Sequence, residues 1–174
     1  MKKLSYFLLG IGAFTFVACG GNTESTTTDE PVATEDTATE EVAPATDETA
    51  DANTIVIEGN DQMQYNKTEF TVKAGEVTIT IKNVGSLPAE AMSHDVVVLK
   101  PGTDVKAVGM ASVQDGGIEK VEGDLKASII GYTEMAGPGE EKTATFNLTE
   151  PGVYPFFCSF PGHFAAMQGT ITVE

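Results

Sequence analysis

Residues 54–174 predict an all-β sandwich, and three observations carry that reading. Eight short runs rich in β-branched and aromatic residues recur along the stretch, turn residues bound each run, and the stretch has the size of a single core. Thr54-Ile55-Val56-Ile57 opens the series and stops at Gly59-Asn60, and Phe70-Thr71-Val72 follows ahead of Gly75. Val77-Thr78-Ile79-Thr80-Ile81 alternates apolar with hydroxyl side chains, the period of a strand with one buried face. Val96 to Leu99 is apolar throughout and ends before Pro101-Gly102. Ser128-Ile129-Ile130, Thr143 to Leu148, Val153 to Phe157 and Gly169 to Val173 complete the set. Val105 to Lys126 breaks the pattern with glycine-rich, mixed-charge sequence.

Two segments of different character precede this domain. Lys2 and Lys3 lead into an apolar run ending at Ala18, which is too short to span a bilayer and has the layout of a signal peptide over residues 1–18. Phe16-Val17-Ala18-Cys19 resembles a bacterial lipobox, with Phe16 where a leucine-like residue is usual. Lipidation of Cys19 would tether the chain to a membrane through its N-terminus. The bland alternative is an ordinary signal peptide with Cys19 as a bystander thiol. A disulfide between Cys19 and Cys158, the only two cysteines, would tie a leader to the core, so they do not read as a disulfide framework.

From Gly20 to Asn53 there are ten acidic residues, no basic ones and almost no large apolar side chains. Such a segment cannot offset the entropy of ordering, so residues 19–53 read as a lipidated cysteine followed by a disordered acidic linker. A flexible chain of that length averages about 30 Å end to end. The sequence therefore predicts an exported protein, anchored as a lipoprotein in the periplasm or at the cell surface.

Charge narrows the partners. Residues 54–174 hold sixteen acids and eight lysines, a net of −8, and arginine is absent. No basic patch is available to neutralise phosphates, which argues against nucleic acid.

The chemistry concentrates near the C-terminus. Tyr154-Pro155-Phe156-Phe157-Cys158-Ser159-Phe160-Pro161-Gly162-His163-Phe164-Ala165-Ala166-Met167 places a thiolate, an imidazole and a thioether at Cys-x4-His-x3-Met spacing. Thiolate and imidazole donors with a weak, long thioether are the set that holds copper for electron transfer, provided a second histidine completes the trigonal plane. His94 is the only other histidine and lies in Met92-Ser93-His94-Asp95-Val96-Val97-Val98, which reads as a buried β segment. A lone buried cysteine is more often an inert apolar residue, and a methionine in a strand-rich domain is usually core filler, as Met63, Met92, Met110 and Met135 read here. The register of Cys158, His163 and Met167 on one loop outweighs that alternative.

FFCSFPGHFAAMQGTITVE, AMSHDVVVL, IEGNDQMQYN, GSLPAE and GMAS, in that arrangement across most of residues 54–174, resemble the azurins, the small bacterial blue copper proteins of the cupredoxin family. The resemblance implies a Greek-key sandwich with a short helical flap within Val105 to Lys126. It implies one type 1 copper ion on His94, Cys158, His163 and Met167, with a weak contact from the Ser93 backbone carbonyl, where the family has glycine. Asp95 stands where the family has an asparagine that bonds to the ligand loop; it keeps acceptor oxygens for Ser159 and adds negative charge beside the thiolate. Leu87, Pro88, Ala91 and Met92, with Pro161, Phe164 and Ala165, match segments that ring the C-terminal histidine and form an apolar docking patch for transient redox partners such as cytochromes or a copper/haem reductase. The family's disulfide cannot form here.

An enzyme reading lacks residues. A second, catalytic copper would need further histidines, and a binuclear centre would need a second cysteine in the loop. The serious competitor to electron transfer is a lipoprotein that stores or delivers copper, and a third reading is an interaction module that keeps the fold without using the metal.

Overall fold

Alternating burial organises the strands into two layers around one core. A computed structural model describes residues 52–174. The leader 1–18, Cys19 and the linker up to residue 51 lie outside the described residues.

One sheet has three strands in the order β1 (Thr54–Gly59), β3 (Gly75–Asn83) and β6 (Glu141–Leu148). The other has five, in the order β2 (Glu69–Val72), β8 (Gln168–Val173), β7 (Gly152–Phe157), β4 (Val97–Leu99) and β5 (Ile129–Tyr132). β1 runs parallel to β3 and β2 parallel to β8, while the other pairs are antiparallel. The predicted Greek-key sandwich is thus the fold observed, and all eight predicted strands form.

In β3, Val77, Ile79, Ile81 and Asn83 face inward while Thr78, Thr80 and Lys82 face out. The inward set meets Ile55, Ile57, Phe146 and Leu148 of its own sheet and Tyr154, Phe156 and Ile171 of the other. Each large apolar side chain buried in this way contributes about 1.5–3 kcal/mol.

β4 departs from alternation because both of its faces are covered. Val97 and Leu99 point away from the main core into a second cluster with Phe157, Val108, Ile118 and Val121. That cluster lies under the interruption at Val105 to Lys126, which is two helices joined by a 3-10 turn at Ile118–Lys120. The first, α1 (Val105–Asp115), starts where the Asp104 carboxylate accepts from the Lys106 N–H at 2.9 Å and stops at Gly116 in the left-handed region, φ 78°. The second, α2 (Gly123–Ser128), leads directly into β5.

His94 lies just outside a regular strand. The predicted β segment begins in earnest only at Val97, and His94 makes an isolated bridge to Ala136, with N–H···O distances of 3.0 and 2.8 Å. The Val96 N–H is taken by the Thr133 hydroxyl at 3.0 Å, which interrupts the ladder.

Candidate metal centre

β7 delivers Cys158 at its C-terminal end, and the loop to β8 turns back over it. Gly162, at φ 90°, sits in the left-handed region that the Pro161-Gly162 turn requires. His163 donates its N–H to the Phe160 carbonyl at 3.0 Å, and Met167 donates to the His163 carbonyl at 2.8 Å. The loop is then closed by the Cys158 N–H, which donates to the Met167 carbonyl at 2.9 Å. Cys158 and Met167 are fully buried in the main core cluster.

His94 arrives from the β4 side. Its ligand-capable nitrogen, the Cys158 Sγ and a His163 nitrogen all lie within 4.8 Å of one another. Sγ is 3.6 Å from His163 Nδ1 and 4.0 Å from the Ser93 carbonyl oxygen, and the two imidazole centroids are 5.2 Å apart. Phe160 packs on the other side of His163, at 4.6 Å between centroids. Gly59 makes room for His94: a Cβ there would fall 2.7 Å from the ring's Cδ2.

The electrostatics of this cluster are those of a site built for a cation. Neither buried nitrogen of His94 makes a well-formed hydrogen bond; the Asn60 backbone carbonyl acts on one of them and leaves the other free, a costly arrangement for an imidazole in an apolar surround. Burial pushes His94 below its ordinary value and holds His163 at about 4, with the neighbouring His94 adding to the second effect, so both rings are neutral at pH 7 and keep a free lone pair. Burial also drives the Cys158 thiol well up, helped by the charge of Asp95. A soft sulfur, two neutral imidazoles and exclusion of water fit copper, which pairs with both donor types.

Asp95 braces the loop through two bonds. Its Oδ1 accepts from the Ser159 N–H at 2.6 Å and its Oδ2 from the Ser159 hydroxyl at 2.5 Å, while its own carbonyl accepts from the Tyr65 hydroxyl at 2.5 Å. Burial raises the Asp95 carboxyl to about 6, against the opposing pull of the Ser159 bonds.

Other expected residues fall less uniformly. Leu87 is 42% exposed and Pro161 and Ala165 lie at the surface, whereas Met92 is buried and Phe164 is half-buried beside α1. His163 itself is only 2% exposed. Among the described residues Cys158 is a free thiol. Met63, Met110 and Met135 are at the surface.

Sequence reasoning missed the residues that brace His94. Asn83 donates to the carbonyls of Met92 at 2.9 Å and Ala136 at 3.1 Å, bracketing His94 from two segments. Its signal was available: the inward register of β3 carries Val77, Ile79 and Ile81 to a polar residue. Asp61 accepts from the Ser86 and Leu87 N–H groups and the Ser86 hydroxyl, which fixes the turn that presents Leu87.

Comparison with known proteins agrees with this geometry. Residues 52–174 match the family model described as copper binding proteins, plastocyanin/azurin family. The chain is 41% identical over 124 residues to an azurin of Alcaligenes faecalis, covering 67% of this chain and 94% of that one. It is 38% identical over 128 residues to an azurin of Pseudomonas aeruginosa, covering 69% and 84% respectively. Among solved structures it is similar to dithionite-reduced auracyanin from Roseiflexus castenholzii, with TM-score 0.61, 36% identity, and coverage of 70% of this chain and 97% of that chain. The chain therefore belongs to the plastocyanin/azurin family of copper binding proteins.

Proposed function

We propose that this protein carries single electrons between redox partners by means of one type 1 copper ion held by His94, Cys158 and His163. Met167 is a weaker sulfur donor, and the Ser93 carbonyl a weak further contact. The observation that carries the reading is the convergence of a buried thiol with two neutral imidazoles, one of them with a buried nitrogen left free. When bound, copper supplies a one-electron couple between Cu(I) and Cu(II).

The residues of the chain do the remaining work. His94 and His163 enter the site already neutral, and Cys158 gives up its proton as the site is loaded. Backbone bonds inside the loop and the Asp95 bonds to Ser159 hold the donors in place, so that a change of charge need not be accompanied by movement. Burial of all four side chains keeps water from adding as a ligand. No residue of the site is left over to bind and transform a substrate, and the protein works as a carrier rather than an enzyme.

Exposed Leu87, with Pro161 and Ala165, forms the rim where a transient partner such as a cytochrome or a copper/haem reductase docks with little desolvation of charge. Met92 and Phe164 support this rim from below. The domain operates on the outer side of the cytoplasmic membrane, tethered by the lipid on Cys19 through the acidic linker. Reversible reduction and reoxidation of the copper-loaded protein, with copper retained in the presence of a Cu(I) chelator, is the expected outcome. Ready loss of Cu(I) to the chelator would instead establish copper delivery.

A further inference from the structure

We propose that α1 sets the position of His163 through one contact, the ring of Phe164 lodged against Gly109, which makes Gly109 a positioning residue for the metal centre. The inference rests on the copper reading above.

Phe164 follows His163 directly in the chain. A Cβ added at Gly109 would fall 2.6 Å from Phe164 Cγ, 2.8 Å from Cδ2 and 2.9 Å from Cβ, closer than real Cβ atoms approach. Those atoms are the root of the Phe164 side chain and not its far end. Rotating the ring leaves Cγ and Cβ where they are, so either α1 or the backbone at residue 164 has to shift.

Nothing in α1 itself asks for glycine at this position. Gly109 is buried in the helix interior, has no positive φ, and glycine is the poorest helix former after proline. The close approach of Phe164 is what the missing side chain permits.

The helix is well placed to act as a reference for the loop. Val108, the neighbour of Gly109, is fully buried in the cluster that holds Val97, Leu99 and Phe157, and Phe164 packs on that same cluster. Phe157 immediately precedes Cys158 and Phe164 immediately follows His163, so one apolar cluster grips the ligand segment on both sides. His163 in turn has little slack. Phe160 lies 4.6 Å from its ring on one side and His94 5.2 Å on another, with Cys158 Sγ 3.6 Å from its Nδ1. A shift at residue 164 is therefore passed to the imidazole and not absorbed by a gap.

The test uses the full-length, copper-loaded chain and three variants: Gly109→Ala, Phe164→Ala and the double Gly109→Ala/Phe164→Ala. Gly109→Ala is expected to change the copper hyperfine splitting and the ratio of the visible bands, and to speed copper loss to a chelator by about tenfold, the scale of a disturbed outer shell. The double variant removes the ring carbons Cγ and Cδ2 from the clash and leaves only the 2.9 Å approach of the two Cβ atoms, so it is expected to return most of the way to the splitting and loss rate of Phe164→Ala. In the metal-free chain, the His163 amide shift should move in Gly109→Ala and return in the double variant. A Gly109→Ala protein that melts lower with unaltered hyperfine splitting, copper loss and His163 shift would overturn the proposal, since the helix would then be scaffold alone. So would a double variant as disturbed as Gly109→Ala. If Gly109→Ala does not fold, Phe164→Ala alone decides: loss of the anchor should alter the splitting, and an unaltered signal overturns the idea. Absence of any blue band in the parent protein would instead defeat the copper reading.

Discussion

Asp95→Asn separates the carboxylate's charge from its hydrogen bonds, and the outcome is calculable from its burial. The carboxyl rises from 3.8 to about 6 in the folded metal-free protein, chiefly because burial penalises the ion. A carboxyl raised on folding favours the fold while it is protonated. Stability is then fully present below the unfolded value near 4, falls as pH rises through about 6, and is level above that. A shift of about 2 units corresponds to about 3 kcal/mol lost at neutral pH. Asparagine cannot ionise, its Oδ1 still accepts from the Ser159 N–H, and its amide can donate to the Ser159 hydroxyl. In chelator-treated protein, Asp95→Asn should therefore melt about 10 °C higher than the parent at pH 7.5 and no higher at pH 3.5. Melting curves followed by circular dichroism across that range give the difference directly. His163, at about 4, titrates in both proteins and cancels from the comparison. A difference that does not vary with pH, or a variant less stable at pH 7.5, would refute the reasoning. The same charge stabilises Cu(II) over Cu(I) in the loaded protein, so the substitution should also raise the reduction potential, by about 60 mV for each 1.4 kcal/mol of difference.

Two further outcomes follow from the site. Stripping copper should lower the melting temperature, because a ligand present at a hundred times its dissociation constant adds about 2.7 kcal/mol to the folded state; equal melting with and without metal would remove copper from the stability account. Leu87→Asp should slow electron exchange with an apolar-faced redox protein while leaving the blue band unchanged, since Leu87 is exposed and holds no part of the ligand loop. Undiminished exchange would mean that the Leu87 rim is not the docking surface.

Strands were legible where one face is buried and the other is wet. Val77 to Ile81 shows this well: its alternation survives into β3 residue for residue. Val97 to Leu99 does not alternate, because α1 covers the face that would otherwise meet water, and no local pattern reveals a cover contributed from elsewhere in the chain. The run around His94 reads as strand in the sequence, while its ladder is interrupted by the hydroxyl of Thr133, thirty-seven residues away from Val96. The ligand loop was legible because its donors lie within ten residues and Pro161-Gly162 announces the turn. Bonds such as Asn83 to Met92 and Ala136, and contacts such as Phe164 to Gly109, depend on tertiary placement and leave little trace in spacing.

Optical and paramagnetic spectra of the copper-loaded protein, recorded beside those of Cys158→Ser, bear most directly on the metal centre. The parent should show an intense visible band from sulfur-to-copper charge transfer with narrow copper hyperfine splitting, and Cys158→Ser should lose both. A serine variant that kept the deep colour would contradict the assignment of Cys158 as the ligand that makes this site an electron carrier.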